Sequence, residues 1–388
     1  MAIPSWLTAC VNFFTGKASE NEVSVSEAPL APSVPAETST QQDLPQDLPI
    51  AISPIDQPEI VSPESRLPEW FLGEIPTELL RLARANCEER VHRQILADWV
   101  ERYGGEEGRL LCRFFRRNPI LRDDATTWQT LSAMEARLVA PFSDLVLGIG
   151  DQLVLPLSET QNITMGWVPP GEGWLGNCTE GKTSFTLDNG LWCGINSVTQ
   201  EQWQAVMGNN LSHFNGNHEN PVKCVSWNDV QVFLQKLNDV SSRSGFLYRL
   251  PTADEWDYIN NGGNNSPYEF YISRRCRLDL TAVSRNDLSS TEANFNGSYI
   301  RVAASDGSHL DAIGIATKYI LHPLGMFDMH CNHDREWTST LKGGVCVVCQ
   351  SFWDFDGGGL MATCRNGEDP GSRSYDLGFR LVAVPFGE

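Results

Sequence analysis

The sequence predicts an α+β protein in three parts: a disordered arm at residues 1–65, a small helical module at 66–124 and a larger mixed domain at 160–388. A connecting segment at 125–159 joins the last two. Three observations carry this reading. The arm has no Lys or Arg between Ala18 and Ser65 and is rich in Pro, Ser, Glu and Asp. The module has apolar residues at helical spacing. From Asn162 onward the texture changes to short strand-like runs, turn residues, and many Trp and Gly.

The arm, PLAPSVPAETSTQQDLPQDLPIAISPIDQPEIVSPES in its longest part, buries too little apolar surface to offset its ordering entropy. The whole chain carries a net charge of −20, which argues against a nucleic-acid partner, since that needs a positive footprint. The 11 cysteines are odd in number and show no disulfide framework, so free thiols in a reducing compartment are expected. No basic residue precedes Lys17, as a secretory signal would require, and no apolar run is long enough to span a bilayer. These points lead to the expectation of a cytoplasmic protein without a membrane partner.

In the module, Val91, Ile95, Trp99 and Tyr103 recur at every fourth residue and form one stripe of a helix that Gly104 and Gly105 stop. A second helix is expected from Glu107, with Leu110, Leu111, Phe114 and Phe115 inward. The block holds as many acids as Arg residues, so its charges read as a solvated face. The segment ILADWVERYGGEEGRLLCRF resembles the bacterial repeat-companion module. That resemblance implies an adaptor role, with an unidentified partner docking on 66–124. A helix is also expected around Trp128–Val139 in the connecting segment.

The mixed domain repeats one device. NSVTQEQWQAVM, NPVKCVSWNDVQVFLQKLN and YRLPTADEWDYINNGG each run from a strand end through a cap into a helix. Thr199 caps the first with Gln202 completing the box, Ser226 or Asn228 caps the second, and Thr252 the third. In the second helix Val230, Phe233, Leu234 and Leu237 share the inward face. ITMGWVPPGEGWLG reads as strand, Pro–Gly turn and strand; HPLGMFDMHCNHDREWTST reads as turn-rich, anchored by Phe327 and Trp337. FRLV, at 379–382, reads as a closing strand.

Taken in order, VPPGEGWLG, VTQEQW, NPVKCVSWND, YRLPTADEWDY, LGMFDMHCN…EW, GG and DLGFRLV resemble the formylglycine-generating-enzyme (sulfatase-modifying factor) family. The resemblance implies a C-type-lectin-like fold. Oxidase members hold copper with a C-terminal cysteine pair spaced C-x-x-x-x-C. Here Cys346 and Cys349 stand two residues too close, and the second family position falls near Trp353 and Asp354. The resemblance therefore implies no catalytic residues and no cofactor, and Cys346 and Cys349 read either as a lone metal-binding pair or as two buried strand thiols. His330 and Cys331 read as turn residues rather than as a zinc site. Family members that bind calcium do so through an Asn and a Glu; Asn332 and Glu336 carry one extra residue between them, which leaves calcium open.

The tail WDFDGGGLMATCRNGEDPGSRSYDLGFR, residues 353–380, resembles the variable region of diversity-generating-retroelement variable proteins. The landmarks are Trp353, Arg365, Pro370, Arg373, Gly378, Phe379 and Arg380. In that family, template AAC codons between the landmarks are mutated at adenines. The resemblance marks as variable, ligand-contacting positions Asp354, Phe355, Asp356, Gly358, Gly359, Cys364, Asn366, Gly367, Asp369, Ser372, Ser374, Tyr375 and Asp376. Glu368 stands among them but cannot be encoded by a codon ending in C. The implied function is a receptor-like binding protein. Its partner is a protein ligand, and the acids among these positions favour a basic one. The alternative is a divergent cysteine oxidase of the formylglycine-generating class, with Cys346, Cys349 or Cys364 in the catalytic role.

Overall fold

A computed structural model describes residues 67–85, 90–117, 130–175, 183–212, 217–241, 244–263, 270–272, 283–285, 322, 324–327, 329, 334–351 and 365–385. The arm therefore lies outside the described residues, as do Trp353, Asp354, Phe355, Asp356, Gly358, Gly359 and Cys364 of the tail, and His330, Cys331 and Asn332. The chain divides into Met1–Ala51 and Ile52–Glu388, and every described residue belongs to the second unit.

Three helices open the described part: α1 (Glu74–Ala85), α2 (Arg90–Tyr103) and α3 (Gly105–Phe115). The break between α2 and α3 falls at the glycine pair, as expected. In α3, Leu111, Phe114 and Phe115 are buried and Leu110 is half-buried. The α2 stripe turns the other way. Val91 is 63% exposed, Ile95 47% and Tyr103 59%, while Arg93, Leu96, Ala97 and Val100 form the inward face. The inward face is disguised in sequence by a small Ala and an Arg; the stripe is regular but lies outside except at Trp99, which is half-buried and packs edge-on to Phe71 at 5.6 Å. Replacing Val91 and Ile95 together by Lys is therefore expected to change stability by no more than about 0.5 kcal/mol per site in a denaturant titration.

The helical module does not stand apart. Phe71 and Phe115 both pack edge-on against Phe142, with ring centroids 5.0 and 5.3 Å away. Phe142 lies between α4 (Ala133–Val139), whose N-cap Ser132 forms a capping box with Glu135, and the short α5 (Ser143–Val146). The apolar core runs without interruption from these helices into the sheet of the C-terminal domain. Arg84–Asp144 at 2.9 Å, near the surface, and Arg117 with the buried Asp151 at 2.7 Å join the same parts.

The larger sheet is ordered β1 (Thr130–Leu131), β2 (Gln152–Pro156), β3 (Asn162–Val168), β6 (Leu191–Gly194), β14 (Val382–Pro385) and β7 (Phe246–Arg249). Its pairs are antiparallel except β1 with β2. Because β2 pairs along its length with β3, the domain takes in residues from 152, inside what the sequence marks as a connecting segment. A hairpin of β4 (Gly171–Leu175) and β5 (Thr183–Leu187) and a short pair, β8 (Phe270–Ile272) and β9 (Val283–Arg285), form two further two-stranded sheets.

The smaller sheet is ordered β12 (Arg365–Glu368), β11 (Val345–Ser351), β10 (Asp334–Lys342) and β13 (Leu377–Phe379). DREWTST thus forms a strand, not turns. Gly343 and Gly344 close the β10–β11 hairpin with φ of 63° and 87°, the two positive angles that a type I′ turn needs to match strand twist. The expected closing strand is really two. Leu377–Phe379 joins the smaller sheet and Val382–Pro385 the larger, with Arg380 and Leu381 crossing between them.

Three helices complete the domain: α6 (Gln200–Met207), α7 (Trp227–Ser241) and α8 (Ala253–Asn260). Thr199 and Thr252 form capping boxes with Gln202 and Glu255. The open choice for α7 resolves to Ser226, whose Oγ accepts from the Asp229 N–H at 3.1 Å while the Asp229 carboxylate accepts from the Ser226 N–H at 2.8 Å. Val230, Phe233, Leu234 and Leu237 of α7 are all buried.

Candidate functional site

The described half of the tail, Arg365–Arg380, runs along β12, turns, and returns through β13. Every landmark in it is tied to another element. Arg365 donates through Nε to Asp257 at 2.9 Å and through Nη2 to Asp254 at 2.8 Å, both on α8. Burial pushes the Asp257 carboxyl up to about 7, only partly offset by Arg365. Pro370 is at the second position of a turn in which the Ser372 N–H donates to the Asp369 carbonyl at 2.9 Å. The Pro370 carbonyl accepts from the Asn228 N–H at the start of α7. Arg373 makes a two-pronged bond to Asp229, 2.8 and 2.7 Å, so the residue that completes the α7 capping box also holds the tail.

The end of the tail is buried. Gly378 has no room for a side chain: a Cβ would stand 2.8 Å from the Val222 carbonyl oxygen and 3.0 Å from Lys223 Nζ. Phe379 packs edge-on to Phe233 at 5.3 Å, and Phe233 stacks on Trp203 at the same separation. Arg380, 1% exposed, sits 3.4 Å from the Glu336 carboxylate and donates to the carbonyls of Gly194 at 2.8 Å and Phe327 at 3.1 Å. It thereby bolts the crossing point between the two sheets.

The positions marked variable divide. Asn366, Gly367, Asp369 and Tyr375 are exposed, and Ser372 and Ser374 half-buried. The backbone beneath them is fixed: the Ser374 carbonyl accepts from the Cys224 N–H at 2.9 Å, where Cys224 takes a left-handed φ of 59°. Gly367 is the tightest of these sites, since a Cβ there would stand 2.8 Å from Val345 Cγ2 on the exposed hairpin end.

Asp376 does not belong with them. It is 4% exposed, and Arg335 grips it through Nε at 2.7 Å and Nη2 at 3.1 Å. The Arg335 Nη1 also bonds Glu368. One guanidinium therefore staples both ends of the excursion 369–375. Burial pushes the Asp376 carboxyl up, but Arg335 and Ser374 outweigh it and hold it below the usual carboxylate range. Glu368, the residue that no codon ending in C encodes, has a fixed structural partner. Sequence reasoning missed Arg335; the failed codon at 368 was its one trace.

The cysteine pair is two core thiols. Cys346 and Cys349 are three apart on β11, so their side chains leave opposite faces, and each joins a different apolar cluster. Both are fully buried; burial pushes Cys346 up to about 12 and Cys349 well above the ordinary thiol range. They cannot grip one metal ion between them. Glu336 does not fit calcium either. Its oxygens already accept from Ser197 Oγ and Trp256 Nε1, each at 2.6 Å, with Arg380 supplying the countercharge. Among the described residues no group of three potential metal ligands occurs, and no helix is long and apolar enough to cross a membrane.

A two-sheet domain with capped helices and a tail folded back as an outer edge defines a lectin-like class of fold. The family model described as the sulfatase-modifying factor enzyme 1-like domain matches residues 152–384. The chain belongs to that family, and its C-terminal domain has the family's C-type-lectin-like fold. Among solved structures it is similar to Treponema denticola variable protein 1, at 20% identity and a TM-score of 0.47 over 60% of this chain and 98% of that one. PvdO from Pseudomonas aeruginosa is 17% identical, with a TM-score of 0.45 over 59% of this chain and 97% of its own. Chaperone protein LppX of Paenibacillus barcinonensis is 32% identical over 106 residues, covering 20% of this chain and 38% of that protein. The chain thus spans well under half the length of this curated relative.

Proposed function

We propose that the chain is a non-enzymatic, receptor-like protein that binds a protein ligand through the outer surface of its C-terminal tail, and that retroelement-directed adenine mutagenesis diversifies this surface. One observation carries the reading. The residues between the landmarks at 366, 367, 369, 372, 374 and 375 reach solvent, while the landmarks hold the backbone beneath them. A fixed scaffold under exchangeable side chains is what a binding loop requires. Tyr375, 48% exposed, offers aromatic contact area, and Asp369 favours a basic ligand. The exposed α2 stripe is the proposed docking face for a second partner of the helical module, and the cytoplasm is the proposed compartment.

The test is a displayed library of the full chain, randomised at 366–369, 372 and 374–376 and sorted for folded molecules. Most residue types are expected at Asn366, Asp369, Ser372, Ser374 and Tyr375, with smaller ones favoured at Gly367. Glu368 and Asp376 are expected to come back as acids. A library in which the exposed positions also return only their present residues contradicts the reading.

A further inference from the structure

The strand β12 is the outer strand of the smaller sheet and, among the described residues, pairs with β11 alone. In an antiparallel pair, alternate residues turn their N–H and carbonyl groups away from the partner strand, so an outer strand presents a row of main-chain donors and acceptors. Here that row reaches solvent. Arg365, Asn366 and Gly367 are exposed, and Gly367 has no side chain, so what it exposes is main chain. The hydrogen bonds of Arg365 to Asp257 and of Glu368 to Arg335 anchor both ends of the strand.

The charge around this edge is one-sided. The carboxylates of Asp254, Glu368 and Asp369 outnumber the guanidiniums of Arg335 and Arg365, while Asp257 beside Arg365 is buried. Asp254 lies beside the Arg365 end with its side chain 47% exposed, and Asp369 is exposed just past the Glu368 end. A second copy of the chain, with its net charge of −20, would bring like charges face to face.

We infer that the protein ligand docks by adding an extended segment, bearing Lys or Arg at alternate positions, as a further strand on the edge of β12 that is unpaired among the described residues. This rests on the ligand-binding reading above and gives it a mode. Main-chain bonds supply an affinity that does not depend on which side chains the tail displays, and the exchangeable side chains supply the selectivity.

The experiment uses the full chain, deuterated and amide-labelled, titrated with an acetylated, amidated heptapeptide of alternating Lys and Val and read by amide shifts. Saturable shifts are expected at Asn366, Gly367 and Glu368, with a Kd on the order of 1 mM for so short a segment. They are expected to disappear with the same peptide N-methylated at every residue and with a Glu–Val peptide. No shift at 365–368 with the Lys–Val peptide overturns the inference, as does equal binding of the N-methylated peptide. Shifts at 365–368 that grow with protein concentration alone also overturn it, since they make a second copy the occupant. If strand addition fails while library variants of 369–375 still capture different proteins, the mode is wrong and the ligand-binding reading stands. If those variants all fail to discriminate while the peptide binds, the reverse holds.

Discussion

Arg380→Ala is expected to destabilise the folded chain by about 4 kcal/mol at neutral pH, the typical cost of removing one partner from a buried ion pair. Arg380 and Glu336 are 1% and 3% exposed in their side chains, so water does not replace the lost guanidinium. The variant also removes the guanidinium donor from the carbonyls of Gly194 and Phe327. The pH dependence gives the effect a signature. In the wild-type chain burial pushes the Glu336 carboxyl up, but Arg380, Ser197 and Trp256 together bring it below its ordinary value. A depressed carboxyl contributes stability that is present above the unfolded pKa and is lost as pH falls through the folded one. Without Arg380 burial dominates, so the carboxyl is raised and protonation favours the variant's folded state. The gap between the two proteins is expected to narrow as pH is lowered from 7 toward 4. Denaturant titrations at several pH values check this, and a gap independent of pH contradicts it.

Arg335→Ala is expected to cost about 3 kcal/mol by the same mechanism, somewhat less because Arg335 itself and Glu368 are nearer the surface. Its distinguishing effect is local. Losing the staple frees both Glu368 and Asp376, so the backbone amides of 369–377 are expected to lose hydrogen-exchange protection before the rest of the smaller sheet does. Arg335→Lys is expected to recover only part of the loss, because an ammonium cannot reproduce the two-pronged grip on Asp376. Uniform loss of protection across the whole chain argues that Arg335 is merely a core residue.

Much of this domain was legible in the sequence because its signals are local. The Thr199–Gln202 and Thr252–Glu255 boxes and the 3.6-residue spacing of Val230, Phe233, Leu234 and Leu237 lie within single helices. The tail landmarks were legible for a related reason, since Gly378 and Phe379 stand where only a very small or a large apolar residue fits. What stayed hidden depends on distant partners. Arg335 and Asp376 are separated by 41 residues, and nothing in the spacing of acids along the tail distinguishes Asp376 from the exposed Asp369. The split of the closing strand is equally invisible, because Leu377–Phe379 and Val382–Pro385 have the same strand-like composition and differ only in the sheet they join. The α2 stripe misled because regular spacing marks a face of a helix without telling which side the core lies on. The cysteine pair is a local signal as well. Once β11 is a strand, a spacing of three already places the two thiols on opposite faces.

The most direct measurement is the DNA sequence around the gene. The account predicts a near-identical second copy of the segment encoding Trp353–Arg380, differing only at adenines, beside a reverse-transcriptase gene. Among the described positions, the differences should fall in the codons for Asn366, Gly367, Asp369, Ser372, Ser374 and Tyr375 and spare those for Arg365, Glu368, Arg373, Asp376, Gly378, Phe379 and Arg380. Absence of a second copy, or differences concentrated in the codons of the buried landmarks, would contradict a diversified binding face.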